Sequence, residues 1–330
     1  MGCPLPGSTH SKEMRRKRSV IVAKYIAKRL LQIIPTFLLL TLLVYTILSL
    51  SPADPALMRL STGATQEAID EIHHELGLDQ PLLVRYGKYM WDLFTKGEMG
   101  KSWVMQTSVK KNFIERLPNT LILTALALLL TSVVGIVAGV FAAVNQNSAG
   151  DRITMILAML IISLPNFFLS LICQIFICLK LKWLPVAGAG SFRHFILPAI
   201  MLAASRVAGQ IRLTRSSMLD VLGQDYVRTA YAKGCSKFRA VTYHALRNGL
   251  LPVITGIGNQ VGGLVAGAVT VETIFAIPGV GSMLVNAVRS SDIPEVMGPI
   301  IFISLLVCIV NLLVDFLYAV VDPRVKLQYR

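Results

Sequence analysis

Residues 117–143 read LPNTLILTALALLLTSVVGIVAGVFAA, without one charged side chain. About 20 helical residues suffice to cross the hydrocarbon of a bilayer, so this stretch has length to spare. Runs of the same kind flank it at Ile26–Leu50, Ile153–Leu181 and Pro299–Val321. Two more are weaker: Phe195–Leu213 is interrupted by Arg206, and Leu250–Ile277 is crowded with Gly256, Gly258, Gly262, Gly263 and Gly267. The chain as a whole is 54% hydrophobic and 15% charged, against about 25% charged in soluble domains. The sequence therefore reads as an all-α integral membrane protein with six transmembrane helices, the first at 26–50 and the other five in a core at 117–330.

The net charge of +14 would suggest nucleic acid in a soluble protein, but its placement gives it another meaning. With the N-terminus inside, the segments between spans carry 19 Lys and Arg on the inner side and 12 on the outer, and the outer segment after helix 1 alone holds nine acids. Cytoplasmic segments collect Lys and Arg, so both termini are expected in the cytoplasm and no nucleic acid is implied. Residues 1–25 read as a basic leader, within which Met14 is an alternative start. The five cysteines stand at 3, 173, 178, 235 and 308, without metal-type spacing, and read as small apolar fillers.

Residues 51–116 form an extracytoplasmic insert between helices 1 and 2. Pro52 and Pro55 end the first helix. Thr65 is placed to cap a short helix over Gln66–Leu76 that stops at Gly77, and Pro81 opens another through Phe94. The insert is too small for a core of its own and is expected to pack over the mouth of the membrane part.

Catalysis finds no support. Gly100-Lys101-Ser102 copies the end of a phosphate-binding loop, but Thr95 stands where that loop needs glycine, and no strand precedes it. His73 and His74 beside Glu71 and Glu75 suggest a metal, yet adjacent helical residues point about 100° apart and share no chelating face. No catalytic residue, metal site or cofactor is expected.

The patterned feature is the inner segment between helices 4 and 5, at about 215–250. Tyr226 to Gly234 reads as a helix ending in glycine, and Lys237 to Leu246 as a second, so the two make an elbow. It offers Tyr226, Tyr231 and Phe238 beside Arg228, Lys233 and Arg239, a mixture suited equally to a protein interface and to amphipathic helices lying on a membrane.

The segment Tyr226-Val227-Arg228-Thr229-Ala230-x-Ala232-Lys233-Gly234, followed by His244-Ala245-Leu246-Arg247-Asn248 and Leu251-Pro252, resembles the cytoplasmic coupling loop of ABC importer permeases of the dipeptide, oligopeptide and nickel branch. The resemblance extends through Pro52-x-Asp54-Pro55, Gly97-x-x-Gly100-x-Ser102, Leu117-Pro118-x-Thr120, Ser163-Leu164-Pro165 and Leu184-Pro185-Val186-x-Gly188. It continues in Glu272-x-x-Phe275-x-x-Pro278-Gly279-x-Gly281 and Asp315-x-x-Tyr318-x-x-x-Asp322-Pro323-Arg324. Arg228 replaces a Glu, and Arg247 a Pro, of the wider superfamily, and both replacements look typical of this branch.

The resemblance implies the type I ABC importer permease architecture in a bacterial or archaeal plasma membrane. A second homologous permease subunit, two cytoplasmic ABC ATPase subunits and an extracytoplasmic substrate-binding protein are the implied partners, with di- or oligopeptides as cargo and nickel or glutathione as alternatives. A stand-alone secondary transporter is a more distant reading, since neither inverted repeats nor paired intramembrane acids are evident. In the elbow, Gly234 would allow the break, Ala230, Tyr231 and Phe238 would enter a groove on the ATPase, and Lys233 and Arg239 would orient it; Thr229 and His244 belong to the same segment. Arg206, Asn259 and Gln260 are candidates for lining the path. Gly135 with Gly139, Gly258 with Gly262, and Gly263 with Gly267 provide small faces for close helix packing. Asp315 is expected to bond Arg324 or a partner, and the Pro278–Gly279 turn to meet the binding protein.

Overall fold

The computed structural model describes residues 31, 34–51, 54–60 and 65–321, with side chains to residue 312 except that of residue 58. The basic leader, the start of helix 1 and the Asp315–Arg324 contact lie outside what is described. The regular elements among the described residues are helices, joined by turns and loops, with one isolated β-bridge between Lys101 and Ser108. An apolar helix α1 (Ile34–Ser49) is followed by α2 (Pro55–Arg59), α3 (Gln66–Leu76) and α4 (Leu82–Lys96). The core contains α5 (Val109–Val144), α6 (Ala149–Ser163), α7 (Asn166–Cys173, with a π-helical turn Gln174–Lys180) and α8 (Arg193–Leu222). After these come α9 (Asp225–Ala232), α10 (Lys237–Arg239), a π-helical turn Ala240–Ala245, α11 (Leu246–Ile274), α12 (Val280–Arg289) and α13 (Ile293–Val321).

Four helices among the described residues are long and apolar enough to cross a bilayer: α5, α8, the continuous rod Lys237–Ile274 and α13. The expected third helix is not one rod. α6 and the α7 arm meet at 96°, because Pro165 has no N–H to continue the ladder and forces Leu164 into an extended conformation, ψ 133°.

Helix α8 lies at the centre. It runs parallel to α5, whose Gly135 and Gly139 face Gln210 and Thr214; a Cβ on Gly139 would stand 2.5 Å from that of Thr214 and 2.8 Å from the Ile211 carbonyl. Helix α11 runs antiparallel along another side of α8, with Gly249 against Met218, Gly256 against Leu213, Gly263 against Arg206 and Gly267 against Leu202. Small residues at these crossings let backbones approach where lipid provides no hydrophobic drive. Helix α6 packs Ala158 on Val207, Ala208 and Ile211. Its first turn is pinned by a bidentate pair, Arg215 Nε and Nη2 donating to the two Asp151 oxygens at 2.7 Å each.

In the insert, Thr65 accepts from the Ala68 amide and Gly77 closes α3 at φ +67°, as the residues suggest. Helix α4 packs against α1 and α13. Against α1, Tyr86 is 2.8 Å from the Thr41 hydroxyl and Phe94 meets Phe37, and Met90 packs into a cluster with Tyr45, Ile293, Met297 and Ile301. The following loop is tied down by Ser102, whose buried hydroxyl donates to Asp292 at 2.5 Å. Asp292 in turn caps α13 through the Glu295 amide at 3.2 Å. Thus the Gly-Lys-Ser stretch spends its serine on anchoring the insert.

Candidate functional site

The elbow is held from inside and open outside. Val227 and Ala230, three residues apart on α9, are buried. Val227 packs with Ala143 of α5, Met218 of α8 and Val241 and Ala245 of the π-turn. Helix α9 ends in a Schellman turn, with Gly234 N donating to Tyr231 O at 2.9 Å and Cys235 N to Ala230 O at 3.1 Å. Gly234 has φ +85° with nothing within 4 Å of a Cβ, so glycine is required by conformation and not by space. Ser236 caps the next helix by accepting from Arg239 N at 3.4 Å.

Two bonds fix the elbow to the bundle. Lys237 Nζ donates to Val144 O at 3.2 Å, a cation at the negative end of α5. Asn248 Nδ2 donates to the Tyr226 hydroxyl at 2.9 Å, joining α11 to α9. The second arm is not a separate helix: α10 and the π-turn continue straight into α11. The second arm thus belongs to the same rod that packs on α8.

Tyr226, Arg228, Thr229, Tyr231, Lys233, Gly234 and Arg239 are exposed, and Phe238 is 79% exposed. Ala230 differs from the expectation, since it is turned into the bundle. His244 is half-buried, its ring edge-on to Tyr243 at 5.4 Å. Tyr243, 76% exposed, joins the open aromatic surface, one helical turn beyond Arg239. The Arg228–Asp225 contact spans 3.9 Å between well-exposed groups, leaving Arg228 available.

The path candidates lie along the α8–α11 seam. Gln260 donates to Gln210, a fully buried residue not singled out in the sequence. Arg206 is exposed one turn away, its guanidinium lying across Gly263, and Asn259 is exposed beside Gln260. The Gln210 and Gln260 amides and the Thr131 and Thr214 hydroxyls each keep a buried atom without a partner among the described residues. The glycine pairs are divided: Gly263 and Gly267 face α8, Gly262 faces Val307 of α13, and Gly258 is half-buried.

The Glu272–Gly281 motif has a geometry of its own. The fully buried Glu272 carboxylate accepts from Thr120 Oγ1 at 2.6 Å and Ser282 N at 3.0 Å, capping α12 and joining α11 to α5. Thr120 Oγ1 also accepts from Val280 N at 2.8 Å. A Cβ on Gly279 would overlap the carboxylate, so the glycine makes room for a charge at the helix N-terminus. Its signal in the sequence was an acid in an apolar run with glycines seven and nine residues on.

Residues 135–327 match the family described as binding-protein-dependent transport system inner membrane component, and residues 22–124 match its N-terminal companion. A protein of Brucella abortus named as a peptide transport system permease is 40% identical over 309 residues, covering 91% of this chain and 98% of its own. The glutathione transport system permease protein GsiC of Salmonella paratyphi A is 39% identical over 302 residues, covering 92% and 98%. Among solved structures, the inward-facing methionine ABC transporter MetNI aligns with TM-score 0.56 at 15% identity, over 64% of this chain and 96% of that one, a likeness of fold. The chain belongs to the binding-protein-dependent inner membrane components, in the dipeptide, oligopeptide and nickel branch of ABC permeases.

Proposed function

We propose that this chain is one of two permease subunits enclosing the path of an ATP-driven importer of di- and oligopeptides, supplied by an extracytoplasmic binding protein and powered by two cytoplasmic ATPases. In this reading α1, α5, the bent α6–α7 pair, α8, the α10–α11 rod and α13 are six spans, residues 51–116 face outward, and both termini and the elbow face the cytoplasm. Support comes from the alternating directions of contacting helices: α5 and α8 run together, while α6 and α11 oppose α8. The excess of Lys and Arg on the elbow side supports the same orientation.

The observation that carries the reading is the elbow: an aromatic and basic surface on a packed base, continuous with a span that forms the seam. It is built to take a push from a soluble partner. Tyr226, Tyr231, Phe238 and Tyr243 give the docking surface, and Arg228, Lys233 and Arg239 set its orientation. Arg206, Asn259 and Gln260 line the path, and Gly135, Gly139, Gly258, Gly262, Gly263 and Gly267 allow spans to slide. Glutathione is the second substrate reading, favoured by the relative named for its transport.

The test is peptide uptake into vesicles holding both permeases and the ATPases, with the binding protein added. Uptake requires ATP, and uptake that persists without the ATPases would falsify the reading. Gly234→Pro, which cannot reach φ +85° or donate to Tyr231, is expected to leave insertion intact while ATP hydrolysis no longer drives uptake. Competition by glutathione against peptides separates the two substrates.

A further inference from the structure

Helix α4 has three faces where a helix lying over a protein has two. At 3.6 residues per turn, Leu82, Tyr86, Tyr89, Met90 and Leu93 occupy one sector, and they pack with α1 and α13. The next sector holds Leu83, Val84, Gly87, Trp91 and Phe94, whose large side chains are 54–69% exposed. The third holds Arg85, Lys88, Asp92, Thr95 and Lys96, a net basic strip. One apolar sector is thus satisfied by protein and an equal one is open, with a polar strip between them on the far side.

The open sector continues onto the span. Phe94 meets the Phe37 ring of α1 at 6.4 Å, and α1 itself exposes Ile34 and Leu38 beside it. The buried Arg85 Nε has no acceptor among the described residues. Trp91 between the apolar and basic sectors matches the preference of tryptophan for the boundary between hydrocarbon and headgroups.

We propose that α4 is an interfacial helix whose open Leu83–Val84–Trp91–Phe94 face is covered by membrane lipid while its basic strip meets lipid phosphates. Lipid is favoured over a protein partner because the face is continuous with the surface α1 presents to the bilayer, and because protein, apolar and basic sectors together suit an element lying in the membrane boundary. The assignment rests on the membrane reading of the chain, and the choice of the outer leaflet on the orientation proposed above. It refines the insert from a water-facing segment to one partly embedded in the membrane.

The test uses the full chain in phosphatidylcholine vesicles with W103F and W183F, so that Trp91 is the sole tryptophan. Trp183 bonds Arg193 only through its backbone carbonyl, and Phe keeps the ring at position 103. Lipids brominated high on the acyl chain are expected to reduce Trp91 emission roughly twofold while aqueous iodide has little effect, as for a boundary tryptophan. Strong quenching by iodide with indifference to brominated lipid overturns the proposal. Shielding from both also overturns it, because protein would then cover the face. Should the double variant fold poorly, a photo-crosslinking phenylalanine analogue at position 91 of the assembled transporter gives the same decision: phospholipid adducts support lipid cover, and adducts to protein alone refute it. None of these readouts depends on which way the chain is inserted or on what it transports.

Discussion

At Glu272 the chain buries a carboxyl group with no cation paired to it among the described residues and satisfies it with a hydroxyl and a backbone amide. Charge-assisted bonds of this kind contribute about 1.5–3 kcal/mol, and a buried group left unmatched costs about 1–3 kcal/mol. Glu272→Gln sets an amide donor against these donors and is expected to lower stability by about 1–3 kcal/mol, read by denaturant titration in micelles; an unchanged midpoint would show that the cap is dispensable. In the insert, burial raises the Asp54 carboxyl, but the His73 hydrogen bond and the Ala56 amide pull it further down, below its ordinary value of 3.8. A depressed pKa adds stability above the unfolded-state value and loses it as pH falls through the folded one. Amide exchange in α2 and α3 should therefore quicken, relative to an Asp54→Asn variant, only below about pH 4. Equal acceleration in both would assign the effect to another group.

At the scale of elements, glycines separate into those that permit contact and those that do not. Gly139 lies against Thr214 and the Ile211 carbonyl, whereas Gly209 on α8 has nothing within 4 Å of a Cβ. Gly139→Ala is expected to part α5 from α8 and cost about 1–3 kcal/mol by overpacking. Gly209→Ala should be neutral or favourable by about 0.5–1 kcal/mol, since alanine suits a helix better. Folded yield after detergent extraction ranks the two, and equal losses would contradict the crossing. Helix existence, and the Gln66–Leu76 boundaries in particular, were legible from caps and apolar runs. The bend at Pro165 was visible only as a proline in a long run, because whether a proline kinks or breaks a helix is settled by what the arms pack against. The elbow's second arm reads in the sequence as a helix of its own ending at Leu246, although Ala245–Leu246 carries no breaker; the π-turn, packed on α5 and α8, continues it into α11.

For the whole molecule, the elbow is the part whose loss should sever power from transport. Phe238 and Tyr243 touch little of their own chain, so alanine at both is expected to change stability by no more than about 0.5 kcal/mol. If they anchor the ATPase, its affinity should fall tenfold or more, about 1.4 kcal/mol or above, in a pull-down titration from micelles; undiminished binding would remove the elbow from the interface. The sequence by itself determined the membrane character, the family resemblance and the basic elbow, because hydropathy, charge bias and a glycine at a helix end are local properties. Only the tertiary structure decided that Ala230 turns inward, that Gln210 is the partner of Gln260, that Glu272 caps α12 and that α4 packs on α1 and α13. Those facts depend on which faces meet across tens of residues, and a burial pattern of small and apolar side chains is compatible with several neighbours until the helices are packed.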